Sequence, residues 1–117
     1  MDIETYREYC ISKPEVTEEF PFDSETLVFK VAGKMFALTD VDIFESINLK
    51  CEPEEAMVLR ERHSEIIPGW HMNKKHWITV STTGSLPDQM LYKLINNSYS
   101  LVIKGLPSRV RKELKLG

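Results

Sequence analysis

The stretch TLVFKVAGKMFALT, residues 26–39, determines the fold. Its first half alternates, with Leu27, Phe29 and Val31 on one face, which is the period of a β-strand that buries one side. The AGK step at 32–34 then supplies a tight turn, and MFALT returns as a second strand. The stretch therefore predicts a β-hairpin and, with it, an antiparallel sheet.

The elements on either side of the hairpin follow from the same periodicities. Helices are predicted at residues 2–12, 53–64, from about 88 to Gly105, and beyond Pro107. Strands are predicted at residues 16–22, 44–50 and 76–82, the first an edge strand because it contains Pro21. Hairpin-linked strands followed by helices predict an α+β fold, with a mainly antiparallel sheet of about five strands and helices packed against it.

The long helix before the C-terminus has a predicted start and stop. Ser85 to Asp88 have the spacing of a capping box, and Gly105 is placed to end the helix in the left-handed conformation. By composition alone SYSLVI (98–103) also suits a strand. The apolar period that runs unbroken from Leu91 favours the helix.

Length and charge restrict the class of protein. At 117 residues, with 42% hydrophobic and 28% charged residues, the chain is predicted to form one domain over residues 1–117. Residues 1–65 carry sixteen acidic and seven basic side chains, a net charge of −9, whereas residues 66–117 carry two acidic and eight basic ones, a net charge of +6. This asymmetry suits a surface for nucleic acid or another acidic partner, or two halves that neutralise each other on folding.

Location and redox state follow from what the sequence does not contain. No apolar run is long enough to cross a bilayer, and the acidic N-terminal segment does not resemble a signal peptide. We therefore expect a cytoplasmic protein with no membrane partner, in which Cys10 and Cys51 are reduced, partly buried thiols.

Neither a metal site nor a catalytic site is predicted. His71 and His76 are five positions apart, which suits neither a helix face nor a strand face, and no nearby cysteine or carboxylate completes a ligand set. The sequence has no G-x-S-x-G elbow and no glycine-rich phosphate loop. We expect a non-enzymatic protein without cofactor or metal.

The segment PGWHMNKKHWITV, residues 68–80, is the main candidate for a binding function. It interleaves two lysines with histidines and tryptophans, the residue types that meet phosphates and stack on bases. The C-terminal helix adds further cations, so double-stranded DNA is a candidate partner. The residues predicted to bind nucleic acid are His71, Asn73, Lys74, Lys75, His76, Lys104, Arg109, Arg111 and Lys112.

A protein-interaction or chaperone-like module is the alternative. The sequence pI of 5.6 is far below the value above about 9 that is typical of dedicated nucleic-acid-binding domains. Trp77 suits a core anchor better than a base-stacking platform. In this alternative, the sheet face or the groove around Trp70 and Trp77 holds a segment of a partner protein, which predicts a contiguous exposed apolar patch. In either case we expect a monomer.

Four stretches together resemble the MmcQ/YjbR family of small bacterial proteins: KPEVTEEFPF (13–22), LVFKVAGKMFAL (27–38), PGWHMNKKHWITV (68–80) and SYSLVIKGLP (98–107). The HMNKKHW block is the most specific of them. The resemblance implies a fold similar to CyaY, the bacterial frataxin, and to type III secretion chaperones. It also implies the DNA-binding label that the family carries from a proposed double-wing arrangement, and it implies no catalytic residue or cofactor. This chain departs from the family pattern in having Glu15 for a usual glycine, Trp70 for a common tyrosine and Ile78 for a frequent asparagine.

Overall fold

The computed structural model describes residues 1–70 and 72–117, in which six strands form one antiparallel sheet. The elements in chain order are α1 (Ile3–Ile11), β1 (Val16–Glu19), β2 (Thr26–Val31), β3 (Lys34–Asp40), β4 (Ser46–Lys50), α2 (Pro53–Arg62), β5 (Ile66–Pro68), β6 (Trp77–Ser81), α3 (Asp88–Lys104) and α4 (Ser108–Glu113). The strand order is β1-β2-β3-β4-β6-β5. The predicted α+β class and antiparallel sheet are confirmed.

The central hairpin forms as predicted. β2 and β3 pair from Thr26 opposite Asp40 to Val31 opposite Lys34. Ala32 and Gly33 have φ angles of 51° and 78°, both in the left-handed region that a two-residue type I′ turn requires.

One face of the sheet packs against the helices and forms the core. Phe29 of β2, Ile47 of β4 and Val80 of β6 are fully buried there, together with Tyr6 of α1 and Ile95 of α3. The rings of Tyr6 and Phe29 meet edge to face, with their centroids 5.6 Å apart. The alternation seen in the sequence thus identifies the face that the helices cover.

Ser98 of α3 joins the helix to the sheet by hydrogen bonds. The β3–β4 register ends at Ala37 opposite Leu49. Just beyond this pair, the buried Ser98 hydroxyl accepts a bond of 2.8 Å from the Lys50 N–H and donates to the Phe36 carbonyl. The hydroxyl therefore satisfies two backbone groups of neighbouring strands.

The helix ends agree with the sequence in part. Asp2 caps α1 by accepting from the Thr5 N–H at 2.8 Å, and α3 is continuous through residues 98–103. The prediction of a capping box is wrong, because the Ser85 hydroxyl donates to the Glu65 carboxylate and α3 begins after Pro87 without a side-chain cap. The prediction that Gly105 ends the helix in the left-handed conformation is wrong too, since Gly105 has a φ of −78°.

Two features of the last sheet strands differ from the predictions. β5 was not predicted; its three residues pair with β6, and Pro68 shortens this edge. Trp77 pairs with Lys50 at the start of β6, so it lies on the face opposite Ile78. Trp77 is half-buried and outside the core cluster, and its prediction as a core anchor is wrong.

Candidate binding groove

The sheet face opposite the helices carries a groove of about 970 Å³. A row of cross-strand partners forms its floor: Leu38 of β3, Asn48 of β4, Thr79 of β6 and Ile67 of β5. Thr26 extends the floor onto β2. Among the described residues, no helix residue lines this groove. The second face of the sheet is therefore shaped by strands and their connections alone.

Two walls rise from connections at opposite ends of the strands. The first wall contains Phe22 and Asp23, which precede β2, and Ile43, which lies between β3 and β4. The second wall is the β5–β6 connection, which folds back over the sheet and contributes Trp70, Met72 and Asn73. The groove between these walls crosses the strands.

Hydrogen bonds from the floor fix the second wall. The Thr79 hydroxyl accepts from the Trp70 N–H at 2.9 Å and donates to Asn48 Oδ1 at 2.6 Å. Asn48 Nδ2 in turn reaches the Trp70 carbonyl at 3.4 Å. Both backbone groups of Trp70 are thereby tied to floor residues, which holds its side chain at the groove.

Gly69 and Asn73 of the PGWHMNKKHW stretch shape the base of the second wall. Gly69 approaches β6 so closely that a Cβ on it would lie 2.6 Å from the Trp77 Cβ, so only glycine fits. The Asn73 side chain accepts from the Lys75 N–H at 2.9 Å and the His76 N–H at 3.3 Å. These bonds form an Asx-type turn that leads the chain into β6. Gly69 and Asn73 therefore have clear conformational roles.

The groove gathers exposed apolar side chains. Phe22, Ile43, Ile67 and Trp70 have exposed fractions of 65%, 63%, 46% and 65%, and all four line it. Large apolar side chains scattered singly over a surface need no explanation, but several around one concavity are typical of an interaction site.

Two carboxylates lie along the first wall. Asp23 accepts hydrogen bonds from the Thr26 N–H and hydroxyl, and these bonds lower the pKa of its carboxyl group. Asp40, the cross-strand partner of Thr26, accepts from the Asp42 and Ile43 N–H groups through Oδ1. Among the described residues, no cation lies within ion-pair distance of either carboxylate. The wall therefore presents negative charge to the groove.

The motif residues predicted to bind nucleic acid lie beside the groove in different roles. Lys74, Lys75 and His76 are exposed in the turn before β6, whereas Asn73 stabilises that turn and touches the groove. His71 lies outside the described residues.

The remaining predicted cations have acidic neighbours or lie on the terminal helix. Lys104, at the end of α3, lines a small cavity of about 210 Å³ together with Glu52 and Glu55 of the α2 start. The Cys51 N–H donates to the His76 carbonyl at 2.8 Å, so the segment that leads into the same acidic helix start lies next to the motif turn. Arg109 and Lys112 are exposed on α4, and Arg111 is half-buried there.

Buried thiols and metal-ligand groups are the other candidates for chemistry. Cys10 and Cys51 are free and buried, and burial raises the pKa of their thiols to about 12 and about 11. Within residues 1–70 and 72–117, no three His, Cys, Asp or Glu side chains are grouped to hold a metal ion. In the same part of the chain, no helix has the length and apolar character to span a membrane.

Most of the groove was not identifiable from the sequence. Phe22, Asp40, Ile43 and Ile67 lie in four different segments and follow no common motif. The PGWHMNKKHW stretch carries the one clear signal, because its two tryptophans predict a groove around Trp70 and Trp77. Trp70 lines the groove; Trp77 does not.

Comparisons with known proteins agree on one family. The YjbR family model matches residues 11–101. The uncharacterised Escherichia coli protein YjbR is 37% identical over 115 residues, which cover 97% of this chain and 98% of that protein. The crystal structure of the Deinococcus radiodurans protein DR2400, a DUF419 domain, is 43% identical with a TM-score of 0.92, covering 97% of this chain and 88% of that one. A Pseudomonas syringae protein of known crystal structure is 29% identical with a TM-score of 0.74, covering 86% of this chain and 98% of that one.

Proposed function

The chain belongs to the YjbR family, and from this premise we propose that it is a non-enzymatic binding protein that holds a segment of a partner protein in the groove. The observation that carries the proposal is the convergence of Phe22, Ile43, Ile67 and Trp70 on one groove. Aromatic and aliphatic side chains that lose water on binding supply most of the affinity of protein interfaces.

The groove's polar groups favour binding over catalysis. Its ionisable groups among the described residues are Asp23 and Asp40, and both accept hydrogen bonds from backbone N–H groups. The bonds from Thr26 lower the pKa of the Asp23 carboxyl group, which favours its charged form over that of a proton donor. The buried thiols and the exposed His76 lie away from the groove lining.

Peptide selection tests the proposal. A phage-displayed library of random peptides is panned against the full chain, and enriched peptides are measured by fluorescence anisotropy. Trp70→Ala should weaken their binding at least tenfold, because a central tryptophan typically contributes more than about 1.4 kcal/mol. Met57→Ala is the matched control, since Met57 is also an exposed large apolar residue, on α2 and outside the groove.

The outcomes separate clearly. If no peptides enrich beyond those that the Trp70→Ala protein selects, the groove is not a protein-binding site. Peptides that bind equally to both variants would also overturn the proposal. In ¹⁵N NMR spectra, bound peptides should shift the amides of Leu38, Asn48 and Thr79.

Duplex DNA is a second candidate, favoured by the exposed Lys74–Lys75 turn. The acidic start of α2 next to that turn reduces the positive potential available to phosphates. Binding to duplex DNA across a salt series decides the matter. If the site is real, the affinity for DNA should fall steeply as the salt concentration rises, and it should also fall in the Lys74→Ala/Lys75→Ala variant. An affinity that does not change with salt concentration would rule out this candidate.

We also infer a cytoplasmic, monomeric protein. The free, buried thiols of Cys10 and Cys51 suit a reducing compartment. Sedimentation of the full chain over a range of concentrations tests the monomer directly.

A further inference from the structure

The groove has features that select the chemistry of its occupant. Resting on the function proposed above, we infer that the groove selects a short segment in which apolar side chains accompany a lysine or arginine that pairs with Asp23 and Asp40. Three properties of the groove lead to this inference: its length, its apolar groups, and the charge of one wall.

The length of the floor favours a short segment. The floor crosses from Thr26 on β2 to Ile67 on β5, which is four strand spacings or about 19 Å at about 4.8 Å each. About six residues of extended chain match that length.

Apolar groups line both the floor and one wall of the groove. Leu38 forms the floor next to Asn48, and Ile67 lies at the β5 end. Trp70 stands on one wall, fixed by its backbone bonds to Thr79 and Asn48. A preformed wall lowers the entropy lost when the segment binds.

Charge complementarity defines the basic residue. Asp23 and Asp40 flank Thr26 beside the first wall, and the two hydrogen bonds that the Asp40 side chain accepts within the described residues both use Oδ1, so Oδ2 accepts neither of them. Among the described residues, no cationic side chain forms an ion pair with either carboxylate, so the described part of the chain does not neutralise their negative charge. A cationic side chain of the partner supplies that balance, with charge-assisted hydrogen bonds.

The test repeats the peptide selection on a charge variant. Asp23→Asn/Asp40→Asn removes both charges but keeps the oxygen that accepts the backbone bonds, so the wall should keep its shape. The wild-type protein should enrich peptides with apolar residues plus lysine or arginine, and the variant should enrich the apolar residues without the basic one. A selected lysine-containing peptide should bind the variant about tenfold more weakly, and 0.5 M NaCl should reduce this difference.

Glu25→Gln is the matched control, because Glu25 is an exposed acid of the same connection that does not line the groove. This control should bind the peptide as the wild type does. Equal weakening by Glu25→Gln would show a general charge effect and overturn the inference.

The remaining outcomes distinguish the inference from the function on which it rests. Enriched apolar peptides without a basic preference overturn the inference and leave the proposed function standing. No enrichment relative to Trp70→Ala overturns both. If the groove amides shift with protein concentration alone, a second copy of the chain occupies the groove, and the inferred partner is wrong.

Discussion

Replacing Thr79 by valine should release the wall that carries Trp70. Valine has nearly the shape of threonine, so Thr79→Val removes the hydroxyl with little change in packing. The hydroxyl is the acceptor for the Trp70 N–H at 2.9 Å and the donor to Asn48 Oδ1 at 2.6 Å. Both contacts are part-buried, so water replaces them only in part.

The magnitude follows from these two bonds. A typical internal hydrogen bond contributes a net of about 1 kcal/mol, so the pair contributes about 2 kcal/mol to holding the wall on the sheet. Since 1.4 kcal/mol is a factor of ten, amide hydrogen exchange at Trp70 should become roughly 10- to 30-fold faster. The free energy of global unfolding should fall by about 1–2 kcal/mol.

Amide exchange by NMR and urea unfolding measure the two effects. Thr82→Val is the matched control, because the Thr82 hydroxyl donates to the Phe44 carbonyl at 2.7 Å and does not line the groove. The control should lose stability without faster exchange at Trp70. If Thr79→Val leaves exchange at Trp70 unchanged, the hydroxyl does not hold the wall, and the preformed groove loses its main support.

Three further predictions concern stability and reactivity. Ser98→Ala should lower the unfolding free energy by about 2–4 kcal/mol more than Ser100→Ala, because only Ser98 satisfies two buried backbone groups; equal values in urea melts would contradict this. Arg7 holds the pKa of Glu18 below its ordinary value of 4.5, so this pair stabilises the fold above that pH and the contribution is lost as the pH falls through the lowered value. Arg7→Gln should therefore reduce stability slightly at pH 7, and the difference from wild type should vanish in melts near pH 2. Burial raises the pKa of Cys10 to about 12, so the folded protein should resist iodoacetamide at this thiol at pH 8 and react after denaturation; rapid labelling of the native protein, followed by mass spectrometry, would refute the burial.

The fold could be predicted where local and tertiary preferences agree. The hairpin of residues 26–39 followed from alternation and a turn that accepts positive φ, and the Asp2 cap followed from its position before an apolar period. The bounds of α3 followed from the sequence, but the cap at its start could not be predicted, because Ser85 bonds instead to Glu65, twenty positions away in the chain.

The periodicity of the chain specifies the hairpin, the helices and the buried face of the sheet, because a face that must exclude water imposes a period on its residues. The groove, in contrast, arises from long-range packing. Its floor joins Leu38, Asn48, Thr79 and Ile67 through the register of four strands, and the open face tolerates polar and apolar residues alike, so it leaves no period in the sequence. Register also turned Trp77 away from the core, while hydrogen bonds to Thr79 and Asn48 brought Trp70 to the groove. Long-range pairing places these side chains together, and no local pattern encodes it.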